Sequence, residues 1–202
     1  MDNSLSEKIS RLSIAEKTKL YSRARDIVNP SGFINIPSAG SGQASKISVG
    51  ELIGKKVILV DFWTYSCINC QRTLPYITSW YEKYIDKGLE IIGVHTPEFQ
   101  FEQKYDNVLA ATKKFGVKYP VVLDNDYATW TAYKNRYWPR KYLIDIDGFI
   151  VYDHIGEGDY ANTEREIQKA LSDLKARTGS SVVIPMDLVT IDSDGNAQPS
   201  EV

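Results

Sequence analysis

The sequence predicts an α/β domain with a central mixed β-sheet, and three observations carry that prediction. Val57 to Phe62 and Leu89 to His95 are short, apolar, β-branched runs separated by a longer stretch of helical character, the pattern of a βαβ unit. Asp147-Gly148, between the alternating segments Tyr142 to Asp145 and Phe149 to His154, is a strong turn signal for an antiparallel hairpin. Ile167, Ala170, Leu171 and Leu174 then share one face of a closing helix. Parallel strands joined by right-handed crossovers and finished by a hairpin give three layers, α/β/α.

Each element has a local reason. Residues 1–29 read as an N-terminal helical extension: Leu5, Ile9 and Leu12 share a face, and Ser13-x-x-Glu16 is a capping box that starts a second segment running towards Arg25. Asn29-Pro30-Ser31-Gly32 breaks it, Phe33 to Ile36 is a short edge strand, and the Gly- and Ser-rich stretch Pro37 to Ser45 is a loop. Lys46 to Gly54 holds a short helix, and Lys56 to Phe62 is the central strand. A long helix from Cys67 to Lys87, containing Pro75, ends at Gly88. After the strand Leu89 to His95, the spacing of Phe101, Tyr105, Val108, Leu109 and Thr112 predicts a second crossover helix to Lys114, stopped by Gly116. Tyr119 to Leu123 is a strand. Asp124-Asn125-Asp126 caps a helical segment through Tyr133, since the glycine and distal glutamate of a calcium loop are missing. Thr163-x-x-Glu166 is read as the capping box of the closing helix, and Gly179 ends the domain. The division is 1–29, a domain at 30–179, and a tail or linker at 180–202 that is partly ordered at most.

Composition narrows the function. Hydrophobic residues make up 43 % of the 202, enough for a full core, and the formal net charge of −2 gives no bias towards nucleic acid. No run approaches the roughly 20 apolar residues of a membrane span, and Met1-Asp2-Asn3-Ser4 opens polar, unlike a signal peptide.

The chemistry sits in Asp61-Phe62-Trp63-Thr64-Tyr65-Ser66-Cys67-Ile68-Asn69-Cys70, which holds the only two cysteines, at the junction of strand and helix. A thiol reacts as its thiolate, and the free amides of a helix N-terminus stabilise that anion, so Cys67 is the candidate nucleophile. Cys70 lies one turn further on the same face, placed to attack a mixed disulfide on Cys67 and resolve it. Zinc is not expected, because only His95 and His154 remain as ligands and neither is paired at ligand spacing. The motif needs no cofactor beyond the cysteine pair. Asp61, at the end of a buried strand, should favour its protonated form and suit proton exchange with Cys70.

These residues resemble the thioredoxin active site: Asp61-Phe62-Trp63, three residues, Cys67-x-x-Cys70, and Pro75 eight after the first cysteine. Trp138-Pro139 and Tyr142-Leu143-Ile144-Asp145-Ile146-Asp147-Gly148 resemble the cis-proline strand and turn of the TlpA/ResA branch. Gly93-Val94-His95-Thr96-Pro97-Glu98-Phe99, Asp124-Asn125-Asp126-Tyr127 and Gly156-Glu157-Gly158 are similar to the thioredoxin-like domain of DipZ proteins, and the resemblance covers residues 30 to 178. It implies a thioredoxin fold and a dithiol/disulfide oxidoreductase that passes electrons from a membrane donor of the CcdA type to protein disulfides outside the cytoplasm. It also implies a soluble domain of a membrane protein, with a soluble cytoplasmic relative as the alternative. A cis peptide at Pro139 would set its backbone against the cysteines and offer hydrogen bonds to a bound peptide.

Around this centre Trp63 is read as packing, and Tyr65 and Trp138 as recognition surface. Ser66 stands where thioredoxin has a large aromatic. Glu98 follows a strand on the side of Cys67 and is either a proton relay or a solvated loop residue. Lys134, Arg136, Arg140 and Lys141 flank Pro139 and are suited to steering an acidic partner or favouring the thiolate, or form a solvated face. Two other functions stay open. Thr64-x-x-Cys67 has peroxiredoxin spacing, though Val60 stands where a proline belongs, and the fold alone could serve as a docking module with dispensable cysteines.

Overall fold

The computed structural model describes residues 12–36, 46–192, 195 and 197–198. The helix expected from Leu5 and Ile9 and the loop Pro37 to Ser45 lie outside them. The sheet is built on β2 (Val57–Trp63), whose seven residues are all buried. A β-branched, apolar run suits a strand covered on both faces. β3 (Leu89–His95) pairs with it in parallel, and β4 (Val121–Leu123) pairs in parallel with β3. β1 (Gly32–Ile34) closes that edge antiparallel to β4. On the other side β5 (Arg140–Ile144) runs antiparallel to β2, and β6 (Ile150–Ile155) completes the order β1-β4-β3-β2-β5-β6.

Right-handed crossovers decide which helix covers which face. The chain steps from β2 through β3 to β4 in one direction, so α3 (Ile68–Tyr84) and α4 (Tyr105–Lys114) lie on the same side. Leu74, Ile77 and Trp80 of α3 and Val108 of α4 pack there on Val57, Leu59 and Ile91, together with Ile167 and Leu171 of the closing helix α6 (Tyr160–Thr178). α2 (Val49–Leu52) and α5 (Ala128–Ala132), with Ala24 and Ile27, cover the opposite face over Ile58, Val60, Phe62 and Ile92. The three expected layers are present.

Several local expectations are corrected. α1 (Ile14–Leu20) opens on the Ser13/Glu16 capping box but stops at Leu20, well short of Arg25. Beyond it the backbone pairs with the β5–β6 turn, where Ile150 N–H donates to Ser22 O at 2.9 Å and Ala24 N–H to Gly148 O at 2.9 Å. Those bonds compete with further helical turns and win. Thr163 does not cap α6. The helix begins at Tyr160, and the buried Thr163 hydroxyl donates to Asp159 O at 3.0 Å from inside the first turn. The crossover after β3 divides into a tight turn at Gln100–Gln103 and α4. Residues 180–191 are more ordered than the sequence suggests: Ile184 is buried, and Val189 N–H donates to Glu164 Oε2 at 2.7 Å. Two short strands follow, β7 (Thr190–Ile191) and β8 (Ala197–Gln198). Asp124 caps α5 as expected, accepting from Thr129 N–H and Trp130 N–H at 2.9 Å each.

The docking of α1 rests on a lysine. Lys17 is 3 % exposed and donates to Asp145 Oδ2 and Asp147 Oδ2, both at 2.7 Å, while Arg177 of α6 clamps Asp147 from outside at 2.6 and 2.8 Å. The Arg177 hydrogen bonds, with those of Lys17, hold Asp147 down to about 2. Removing one partner of a buried pair strands the other charge. Lys17→Met, which keeps volume and loses charge, should therefore cost about 3 to 5 kcal/mol in urea unfolding at pH 7. A loss below about 1 kcal/mol, typical of an exposed pair, would contradict this account.

Candidate active site

The site lies at the carboxyl end of β2, where parallel α/β sheets place their ligands. Cys67 is the N-cap of α3, with extended backbone (φ −69, ψ 118), half-buried, and its carbonyl accepts the first helical bond from Gln71 N–H at 3.0 Å. Cys70 is 1 % exposed. Both are free thiols.

Their environments push the two thiols apart. The Cys67 pKa is lowered from 9.0 to about 6, first by the hydrogen bond from the Cys70 thiol; the amides of Cys70 and Asn69 add to this, while burial and the Glu98 carboxylate oppose it. Cys70 is raised far above an ordinary thiol, first by burial and then by donating its proton to Cys67. One sulfur is thus an anion at neutral pH and its neighbour a protonated reserve.

Asp61 lies on β2, 1 % exposed, with Oδ1 making no hydrogen bond among the described residues. Burial raises it from 3.8 to about 6, opposed by Lys141. Lys141 is the direct cross-strand partner of Asp61, is fully buried, and donates to Gly156 O at 3.2 Å. Cross-strand partners share a face, so Asp61 and Lys141 both point to the side covered by α3 and α6. The charge of Cys70 registers on Lys141, and that of Asp61 on Cys70. A carboxyl near neutral pKa beside a deeply buried thiol is matched to taking that thiol's proton.

The Trp138-Pro139 bond is cis. Arg140 opposes Phe62 in the ladder, so Pro139, one residue earlier and buried, sits at the strand end from which the chain leaves for Cys67. Trp63 is fully buried, edge-on to His95 at 5.2 Å, in keeping with packing. Tyr65 is half-buried and stacks on His95 at 5.6 Å. Trp138, half-buried, donates its indole N–H to Thr96 O at 3.0 Å and leans on Trp130. Ser66 is exposed, as is Glu98. Arg140 alternates with Lys141 along β5, so it faces the opposite side of the sheet, over the Tyr142 ring at 4.6 Å and bonded to Asp153 Oδ2 at 2.6 and 3.1 Å. Lys141, expected among the surface cations flanking Pro139, is instead interior.

Two residues that the motif did not point to complete the site. Glu102 is fully buried and accepts from the Ser66 hydroxyl at 2.6 Å, Ser66 N–H at 3.3 Å, Glu98 N–H at 2.6 Å and Phe99 N–H at 2.9 Å. It ties the loop after β3 to the segment that delivers Cys67. Burial works to raise its pKa, yet the bonds from Ser66 and Thr64 and from the two amides hold it below the ordinary value. His95, opposite Trp63 in the ladder, is buried, and burial pushes it down to about 4, so it is neutral. Its Nε2 lies 3.4 Å from Thr64 Oγ1 and accepts from Tyr65 N–H at 3.3 Å. The Thr64 hydroxyl is thereby engaged on the His95–Glu102 side of the strand end. Glu102 accepts locally from the Glu98 and Phe99 amides, but its Ser66 partner is 36 residues away, so its role is not visible in the sequence; His95 is visible as a histidine at the end of a predicted strand, weighed only as a metal ligand. Among the described residues no three His, Cys, Asp or Glu side chains gather as a metal site.

The family model described as Redoxin matches residues 35–171. The chain belongs to the Redoxin family. This redoxin is 47 % identical over 152 residues to protein DipZ of Mycobacterium tuberculosis, covering 75 % of this chain and 21 % of that one. It therefore spans about a fifth of the length of that relative. It is 33 % identical over 127 residues to the thiol-disulfide oxidoreductase ResA of Bacillus cereus, covering 63 % and 70 % of the two chains. A solved thioredoxin-like protein in its oxidized form superposes with a TM-score of 0.66 at 22 % identity, over 77 % of this chain and 98 % of that one. The fold is thioredoxin-like.

Two measurements probe the site. The rate of alkylation of Cys67 in this redoxin should rise with a midpoint near pH 6, and in Cys70→Ala that midpoint should move up towards the ordinary 9.0, because the main stabilising hydrogen bond is gone. An unchanged midpoint would refute the thiol-to-thiolate bond as its cause. Because the folded pKa of Asp61 is raised from 3.8 to about 6, stability present at low pH is lost as pH rises through that window. Asp61→Asn escapes the loss, so between pH 4 and pH 7 it should gain roughly 2 kcal/mol on the wild type in urea unfolding. A constant gap across that range would mean Asp61 titrates as an ordinary carboxyl.

Proposed function

We propose that this chain is a protein thiol-disulfide oxidoreductase acting through Cys67 and Cys70. The observation that carries the reading is the split between the two thiols: an accessible, ionised Cys67 hydrogen-bonded by a buried, protonated Cys70. A binding platform has no use for that arrangement. The oxidoreductase name of the ResA relative supports it.

The chemistry runs in two exchanges. The Cys67 thiolate attacks one sulfur of a substrate disulfide, a Cys67–substrate disulfide forms, and the other substrate sulfur leaves as a thiolate. Asp61, largely ionised at pH 7, then takes the Cys70 proton. The freed Cys70 thiolate attacks the Cys67 sulfur, closing Cys67–Cys70 and releasing the second substrate thiol. Two electrons pass from the protein to the substrate. Lys141 keeps the buried Asp61 from staying protonated, and the Pro139 backbone, with Tyr65 and Trp138 beside it, forms the ground on which the substrate chain lies. Ser66, through Glu102, holds the approach to Cys67 in place.

The direction we propose is reduction of protein disulfides outside the cytoplasm, with electrons returned to Cys67–Cys70 by a membrane donor of the CcdA type. Identity to DipZ over the same segment supports this reading, as does the resemblance to the TlpA/ResA branch. No helix among the described residues is long and apolar enough to cross a membrane, so such a donor would be a separate segment or protein.

Trapping tests the proposal. Cys70→Ser should accumulate a mixed disulfide between Cys67 and a protein substrate, while Cys67→Ser should lose reductase turnover by at least about a thousandfold, since only the thiolate is nucleophilic. Turnover retained in Cys67→Ser would overturn the assignment.

A further inference from the structure

Beyond the active site, an open groove runs along the sheet face opposite Cys70, between the segment after α1, α5 and the β5–β6 edge. Its volume is about 860 Å³. Four basic residues line it, Arg23, Arg25, Lys134 and Arg140, against one acidic residue, Asp153; four tyrosines make up much of the rest. On a chain of net charge −2 this is a local concentration of positive charge.

The single carboxylate is already engaged, because Asp153 is held by Arg140. Arg23 is fixed by stacking on Phe149 at 4.1 Å and by donating to Asp147 O at 2.8 Å, and its charge has no carboxylate partner among the described residues. Arg25 and Lys134 likewise form no ion pair there and are exposed. Three uncompensated cations thus share one concave surface, where their fields add.

Its position gives the groove a function. Arg140 forms its end nearest the active site and directly follows Pro139, beside which a substrate chain attached to Cys67 must pass. A polypeptide leaving the cysteines past Pro139 meets this groove next. We propose that the groove docks an acidic segment of the disulfide-bearing polypeptide, rich in Asp and Glu and a few residues from the attacked cysteine. This rests on the oxidoreductase reading and adds the substrate class: proteins whose reducible cysteine neighbours an acidic stretch. The half-buried Tyr21 and Tyr152 rings give such a segment apolar contact for its methylene groups, and the three cations supply steering and register.

Two fluorescent peptides that share one cysteine sequence and differ only in a tail of four Glu or four Gln separate the two claims. Binding to Cys67→Ser/Cys70→Ser protein, read by anisotropy, needs no chemistry. The Glu tail should bind about 10-fold tighter at 20 mM salt, and the advantage should shrink to about 2-fold or less at 0.5 M. In Arg25→Glu/Lys134→Glu on the same background the ratio should fall to one or invert. Equal binding of the two tails, or a Glu preference that survives the double substitution, would overturn the docking site. Reduction of the corresponding disulfides by the unsubstituted protein reads the other claim: failure to reduce either peptide would count against the oxidoreductase reading while the binding ratio still judges the groove.

Discussion

The pairing of a half-buried Cys67 thiolate with the buried Cys70 thiol is what the chemistry depends on. It needs one sulfur partly in water and one out of it, three residues apart, and only a helix starting at the surface and entering the core provides that. β2 supplies the start, because its buried residues anchor the strand up to Trp63 and leave Thr64 to Ser66 to lift the chain to the surface. Core residues of α3, Leu74, Ile77 and Trp80, supply the descent. Packing far from the cysteines therefore sets their ionisation.

The buried polar groups around the pair are costly and mutually dependent. Asp61, Lys141, His95 and Glu102 are each at most 1 % exposed, and a buried charge is tolerated only with a partner or a shifted pKa. Lys141 faces Asp61 and is bonded to Gly156; Glu102 is satisfied by four hydrogen bonds from two segments; His95 gives up its charge. Asp61 keeps an oxygen without a hydrogen bond among the described residues and a pKa near neutrality, the condition that suits it to move a proton. Stability is given up at the residue proposed to move the proton.

What the sequence made legible was local. The cysteine spacing, the strand before it, the helix after it and the Asp147-Gly148 hairpin are each specified by neighbours within a few residues, and the structure places all of them as expected. The missed features depend on contacts between distant segments. Lys141 reads as a surface cation until the ladder sets it opposite Asp61. Nothing near Lys17 in the sequence signals its burial, because Asp145 and Asp147 arrive from 128 and 130 residues away. Thr163-x-x-Glu166 has the composition of a helix start but lies within the first turn, since composition does not distinguish a cap from a threonine bonded to the carbonyl four residues back. The tail after Gly179 lacks periodicity, yet Glu164 and Gln168 capture its backbone.

The central claim is that Cys67 and Cys70 act as one dithiol. The direct measurement is equilibration of the protein in graded dithiothreitol buffers, followed by alkylation and intact mass. The account predicts a single two-electron transition, about 30 mV per tenfold change in oxidised-to-reduced ratio, in which both cysteines become unreactive together at a potential near or below about −270 mV. Two cysteines oxidising independently, or a Cys70 that never leaves the thiol state while Cys67 reacts, would contradict it.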